Sequence, residues 1–209
     1  MARSAPAPIA PRLYVLVPAL PVADAARMAD GLRRASGEVD IAAVLLRAGA
    51  DQPATALRPL VAASQDIGAA CLIEADAALG ATLGADGAHL DGNEALKAAL
   101  PALRPDGIAG AGGLRSKHDA MTAAEAGADY VMFGEPDAQG RRPPFETTLE
   151  RAEWWVQLFE PPCVAYARTL EEVVALVAIG ADFIAVDADR LDDPGALALA
   201  GALAGGGAG

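Results

Sequence analysis

Gly84-Ala85-Asp86-Gly87-Ala88-His89-Leu90, Gly127-Ala128-Asp129-Tyr130-Val131-Met132-Phe133 and Gly180-Ala181-Asp182-Phe183-Ile184-Ala185-Val186 are three copies of one phrase. Each follows an alanine-rich helical stretch and opens a short apolar run. The glycine stands where a helix ends, and without a Cβ it closes the last turn in the left-handed conformation. The alanine is small enough to pack beneath a sheet. The aspartate has a short carboxylate that bonds backbone amides where a strand begins. The run that follows is apolar on both faces, as in a parallel strand covered by helices. The copies begin 43 and 53 residues apart, which leaves room for two βα units in each interval. They therefore read as alternate strands of one closed parallel array.

Working outward, the spacing predicts strands over Leu13–Val17, Ile41–Leu46, Ala70–Ile73, the first repeat, Gly107–Gly110, the second repeat, Cys163–Tyr166 and the third repeat. Helices are predicted between them, over Val22–Ala35, Pro53–Ile67, a short stretch ending at Leu83, Glu94–Leu103, Ser116–Ala126, Thr147–Phe159, Thr169–Ile179 and Pro194–Leu203. Ser116 is placed to cap its helix. Glu171 and Glu172 sit in a first turn, where the helix dipole favours acids. Eight strands alternating with eight helices predict a compact (β/α)8 TIM barrel. The rival is an open doubly wound sheet, but no Gly-x-Gly-x-x-Gly fingerprint follows the first strand. The predicted organisation is a flexible arm over 1–12, one barrel domain over 13–203 and a flexible glycine-rich tail over 204–209.

The chain has 209 residues and is 53% hydrophobic, enough for one domain with a large core. Its formal net charge of −12 argues against nonspecific nucleic-acid binding and against an anionic membrane surface. The start lacks the continuous apolar core of a signal peptide, and no apolar span is long enough for a membrane helix. A soluble cytoplasmic protein, with homo-oligomerisation open, is the expectation. Cys71 and Cys163 lie in strand-like apolar runs and read as buried free thiols, without zinc-ligand spacing. His89 falls inside a strand and reads as a hydrogen-bonded core histidine; His118 reads as solvent-facing.

In a barrel, chemistry gathers where strands end. Those positions are Arg47, Glu74, Asp91, Gly110–Gly113, Glu135, Asp137, Arg168, Asp187 and Asp189. Gly112-Gly113 leads toward a helix start, where free amides hold phosphate. Arg47, Arg141, Arg142 and Arg168 carry guanidinium forks suited to phosphate oxygens, or alternatively pair with the rim carboxylates. Those carboxylates are also the oxygen donors magnesium prefers.

With these motifs in view, the chain resembles the thiamine phosphate synthase and thiazole tautomerase superfamily, compact barrels acting on pyrimidine and thiazole phosphates. The likeness runs from about Leu13 to Leu199. It is most specific at Leu83–Leu90, similar to "GADGVHLG", and Ala126–Gly134, similar to "GADYVGFG". The resemblance implies the condensation of a pyrimidine diphosphate with a thiazole phosphate, releasing pyrophosphate. It implies ligand contacts from Arg47, Gly112, Gly113, Arg115, Arg142, Arg168 and Asp187. It also implies Mg2+ on Glu74 and Glu94. The family's Gln-x-Arg-x-Lys keeps only its final cation, as Arg47. Its Asn-Asp falls on Glu74-Ala75. Its Ser-x-His falls near Gly113-Leu114-Arg115, and its Thr-x-Thr-Lys near Gln139-Gly140-Arg141-Arg142. Its Gly-Gly phosphate cradle reads Ala167-Arg168, and a serine gives way near Asp187-Ala188. These departures imply weak or lost turnover. The alternative is a non-catalytic, diverged paralogue binding a phosphorylated small molecule.

Overall fold

The computed structural model describes residues 10–48 and 53–205. Eight parallel strands close into a barrel in chain order, and each is followed by a helix. The strands are β1 (Arg12–Val17), β2 (Ile41–Leu46), β3 (Ala70–Glu74), β4 (Gly87–Asp91), β5 (Ile108–Gly112), β6 (Tyr130–Phe133), β7 (Cys163–Tyr166) and β8 (Phe183–Asp187). The helices are α1 (Val22–Ala35), α2 (Ala54–Asp66), α3 (Ala77–Leu83), α4 (Gly92–Leu103), α5 (Lys117–Ala126), α6 (Phe145–Leu158), α7 (Leu170–Ala178) and α8 (Asp193–Gly205). Closure is made by β1 and β8, in register from Arg12 opposite Phe183 to Leu16 opposite Asp187. The barrel domain thus begins at Arg12, one residue inside the predicted arm, and α8 runs to Gly205, inside the predicted tail. The remainder of those two predictions, over 1–9 and 206–209, lies outside the described residues.

The repeated phrase does one job three times. Gly84, Gly127 and Gly180 follow α3, α5 and α7 with φ of 73°, 103° and 81°. Each aspartate then reaches back to the preceding strand. Asp86 accepts the Cys71 amide at 2.8 Å, Asp129 accepts that of Ala109 at 2.7 Å, and Asp182 accepts that of Cys163 at 2.8 Å. These are the amides at the N-terminal ends of β3, β5 and β7, so all three aspartates sit on the lower face. Each occupies a donor that the start of a strand would otherwise leave open.

Alternation along the strands divides the core in two. Tyr14, Leu16, Leu45, Leu72, Tyr130, Met132 and Tyr166 fill the barrel interior. Leu13, Val15, Val44, Leu46, Val131 and Phe133 face outward, under Leu32, Leu57 and Trp155 of the helices. Above Ile108, the inward positions of strand β5 are Gly110 and Gly112. A Cβ on Gly110 would lie 2.0 Å from the Tyr130 ring, so this glycine vacates the space the tyrosine occupies. Cys71 and Cys163 are buried and free, as expected, and burial pushes the Cys71 thiol up to about 12. Among the described residues, no helix is long and apolar enough to cross a membrane.

Candidate functional site

A cavity of about 510 Å³ opens at the C-terminal ends of the strands, on the side of β2 to β6. Arg47 follows β2, and its Nε donates to Glu74 Oε1 at 3.0 Å, at the end of β3. Its Nη2 donates to the Pro136 carbonyl at 2.5 Å, tying both strands to the loop after β6. Ala75, beside Glu74, turns the chain with φ of 59°, a conformation that costs a residue with a Cβ about 1–2 kcal/mol. Three more arginines line the cavity. Arg151 of α6 is spent on the Leu114 and Arg115 carbonyls, and Arg141 on Asp137. Arg115 differs: among the described residues its guanidinium has no partner, and it is exposed to the cavity.

Beneath these lies a carboxyl and an imidazole. Glu135 follows β6 and accepts the Gly113 amide on Oε1 at 2.5 Å. Burial pushes its carboxyl up to about 7; the Gly113 amide and the Arg47 charge pull it back, and Asp91 adds to the rise. His89 of β4 is buried, and burial together with the nearby Arg47 holds its pKa down at about 3, so the ring is neutral. Its Nε2 and Glu135 Oε1 both lie within 2.5 Å of the point where a Cβ on Gly112 would sit. Glycine at 112 is therefore what lets the two groups approach. On the other side of the ring, Nδ1 lies 2.8 Å from the Tyr130 hydroxyl, which lies 2.6 Å from that of Tyr14.

The β7–β8 side of the rim is closed. Arg142 makes a two-pronged pair with Glu172 of α7 at 2.8 and 2.6 Å, and the two side chains are 15% and 13% exposed. Burial works against the Glu172 charge, but Arg142 and the Arg168 amide hold its carboxyl below the usual range. Arg142 also lies over the Tyr166 ring at 5.7 Å, and the Tyr166 hydroxyl donates to Asp187 at 2.5 Å. The backbone here is spoken for: the Ala167 amide donates to the Ala185 carbonyl at 2.8 Å, and the Arg168 amide to Glu172 at 2.7 Å. Arg190 donates to the Arg168 carbonyl. A small cavity of about 50 Å³ lies between Ala167–Leu170 and α8.

The family profile described as thiamine monophosphate synthase matches residues 15–188, nearly the whole barrel. The chain belongs to that family. It is 36% identical over 188 residues to a thiamine-phosphate synthase of Hyphomonas neptunium, covering 84% of this chain and 83% of the relative. A thiamine-phosphate synthase of Rhodospirillum centenum is 37% identical over 185 residues, covering 84% and 86%. Among solved structures, thiamine phosphate pyrophosphorylase from Pyrococcus furiosus superposes with a TM-score of 0.72 at 20% identity, over 93% of this chain and 96% of that one. At that identity the superposition speaks for the fold.

As a member of the thiamine monophosphate synthase family, the chain departs from its expected site in particular ways. Arg47, Glu74, Gly113 and Arg115 line the large cavity, whereas Arg142, Arg168 and Asp187 do not. Arg142 is instead held at a separate corner by its pair with Glu172. Gly112 belongs to β5 rather than to an anion loop, and the Gly113 amide is already given to Glu135. Glu74 and Glu94 do not fit a magnesium site. Glu74 is paired with Arg47, while Glu94 is 96% exposed and faces Lys97 at 3.8 Å. Among the described residues, no group of three His, Cys, Asp or Glu side chains is placed to hold a metal. The sequence placed Glu135 on the rim but gave no reason to prefer it over its acidic neighbours. His89 is the hydrogen-bonded core histidine expected of it, and it also lines the cavity. The one available signal was the Gly-x-Gly of β5, which marks large groups converging from β4 and β6.

Proposed function

We propose that the cavity over β2 to β6 binds a phosphorylated small molecule, and that the family's condensation of pyrimidine diphosphate with thiazole phosphate is slow or lost on this chain. The observation that carries this reading is the state of the Ala167-Arg168 backbone. Where the family resemblance puts a glycine cradle for phosphate, both amides already donate within the protein, and Asp187 adds negative charge beside them. A phosphate there would have to displace Glu172 from two partners. The unpaired Arg115 supports anion binding on the opposite side, with Arg47 at the back of the same cavity. Charge-assisted bonds from guanidinium to phosphate are short and strong.

Each factor of ten in rate needs only about 1.4 kcal/mol of transition-state stabilisation. The loss of the cradle and of the carboxylate at Ala75 should together cost on the order of a thousandfold, allowing for non-additivity. The test is a discontinuous assay with both phosphorylated substrates and magnesium, beside thermal-shift titrations of each substrate alone. Stabilisation by a phosphorylated ligand with negligible product is expected. Turnover that rescues a strain lacking its own synthase would overturn this reading.

A further inference from the structure

Glu135 and His89 are not explained by anion binding. A carboxyl and a neutral imidazole converge on one point at the floor of an arginine-lined cavity, from β6 and β4 respectively, and Gly112 is bare so that they can. We propose that this pair is a proton-transfer centre for a phosphorylated carbonyl compound, with Glu135 as the base and His89 as the hydrogen-bond donor to the carbonyl oxygen. The proposal rests on the reading that the cavity takes a phosphorylated ligand, and it names the chemistry done there.

The direction of the buried hydrogen-bond chain sets the role of His89. Among the described residues, the Tyr14 hydroxyl has no partner but Tyr130, and Tyr14 is only 2% exposed. If Tyr130 donated to Tyr14, the Tyr14 hydrogen would be buried without an acceptor, which costs about 1–3 kcal/mol. The favoured chain is therefore Tyr14 donating to Tyr130 and Tyr130 donating to His89 Nδ1. That leaves the ring proton on Nε2, the atom beside Glu135. An imidazole with a pKa of about 3 stays neutral and polarises a carbonyl by donating a hydrogen bond. A carboxyl near 7 is half ionised near neutrality, so it can both accept and return a proton.

The step balances within the substrate. Glu135 takes a proton from the carbon next to the carbonyl. The C–H pair becomes a C=C bond, and the carbonyl π pair moves to oxygen, where Nε2–H meets it. The oxygen pair then re-forms the C=O bond as Glu135 returns a proton to the same carbon. Nothing is oxidised or reduced overall, and no second reactant is required. The groups facing Glu135 are Gly113 N–H, Arg47, Asp91, His89 and the two tyrosines, so its charge is tuned from β1, β2, β4, β5 and β6 together.

The test is deuterium exchange. The whole protein is incubated in D2O with dihydroxyacetone phosphate, ribulose 5-phosphate or fructose 6-phosphate, and loss of the C–H resonance is followed by NMR, with binding measured in parallel by calorimetry. Exchange above the buffer rate is expected for at least one of them, rising with pH to a plateau above about 7 as Glu135 ionises. Glu135→Gln keeps an acceptor for the Gly113 amide and should lose exchange by about 100-fold while still binding. Glu135→Asp, which withdraws the carboxylate by one methylene, should lose exchange without losing the fold. Binding of a probe without exchange, or exchange that survives Glu135→Gln, would overturn the proton-transfer centre and leave the phosphate reading standing. Failure of all three to bind would overturn the proton-transfer centre, while the phosphate reading stands or falls on the thermal-shift titrations.

Discussion

On the β7–β8 side of the rim, Arg142 and the Arg168 amide meet Glu172, and Tyr166 meets Asp187; on the β2–β6 side, the Arg115 guanidinium has no partner among the described residues, and Glu135 accepts the Gly113 amide in an open cavity. Both sides carry arginines and carboxylates at strand ends. The difference lies in where the acids stand. Glu172 is on the first turn of α7 with its side chain largely covered, so it closes on Arg142. Glu135 is on the floor of the barrel mouth, where Gly112 makes room and no cation touches it. A rim of mixed charge becomes a binding site only where its charges cannot reach one another.

The largest effect should come from breaking the closed side. Glu172→Ala removes both hydrogen bonds to the partly buried Arg142 guanidinium and leaves it only the more distant charge of Asp187, and urea unfolding should show a loss of about 2–3 kcal/mol. Arg142→Ala combined with it should cost less than the two single losses added, since one pair is removed in both. A loss as small as that of an exposed ion pair would show that this corner is not held by charge.

On the open side, Gly112→Ala places a Cβ 2.3 Å from His89 Nε2 and 2.5 Å from Glu135 Oε1. Overpacking of this kind costs about 1–3 kcal/mol. Gly201→Ala in α8 is the control, because a Cβ there meets nothing, and helix propensity should raise stability by about 0.5–1 kcal/mol. Melting both variants should give shifts of opposite sign. Equal shifts would mean that the β5 glycines are not making space.

The smallest change in stability, and the sharpest contrast in binding, should separate two arginines. Arg115→Ala should weaken binding of inorganic pyrophosphate by about tenfold, the worth of one charge-assisted bond, with little change in melting temperature. Arg168→Ala should leave that affinity within about twofold, since its side chain lies with Tyr166 and the Gly140 carbonyl, outside the large cavity. Calorimetry on both would show which half of the rim takes the anion, and a reversed order would move the site to β7 and β8.

The number and order of strands, the left-handed glycines at 84, 127 and 180, and the lower-face aspartates were all legible in the sequence. Each depends on a residue and its neighbours in the chain: a helix end needs a glycine, and a strand start needs an acceptor. The (β/α)8 barrel follows because eight such units can bury their apolar runs only by closing on one another. The upper face is different. Arg142 and Glu172 are thirty positions apart, and His89, Gly112 and Glu135 come from three strands, so no local pattern records that they meet. Whether Arg47 faces a ligand or Glu74, whether Gly113 offers its amide or gives it to Glu135, and whether His89 lines a cavity depend on side-chain distances of a few ångströms across the barrel mouth. At that range a hydrogen bond or a clash decides between pairing and openness, and only the closed tertiary structure sets the range.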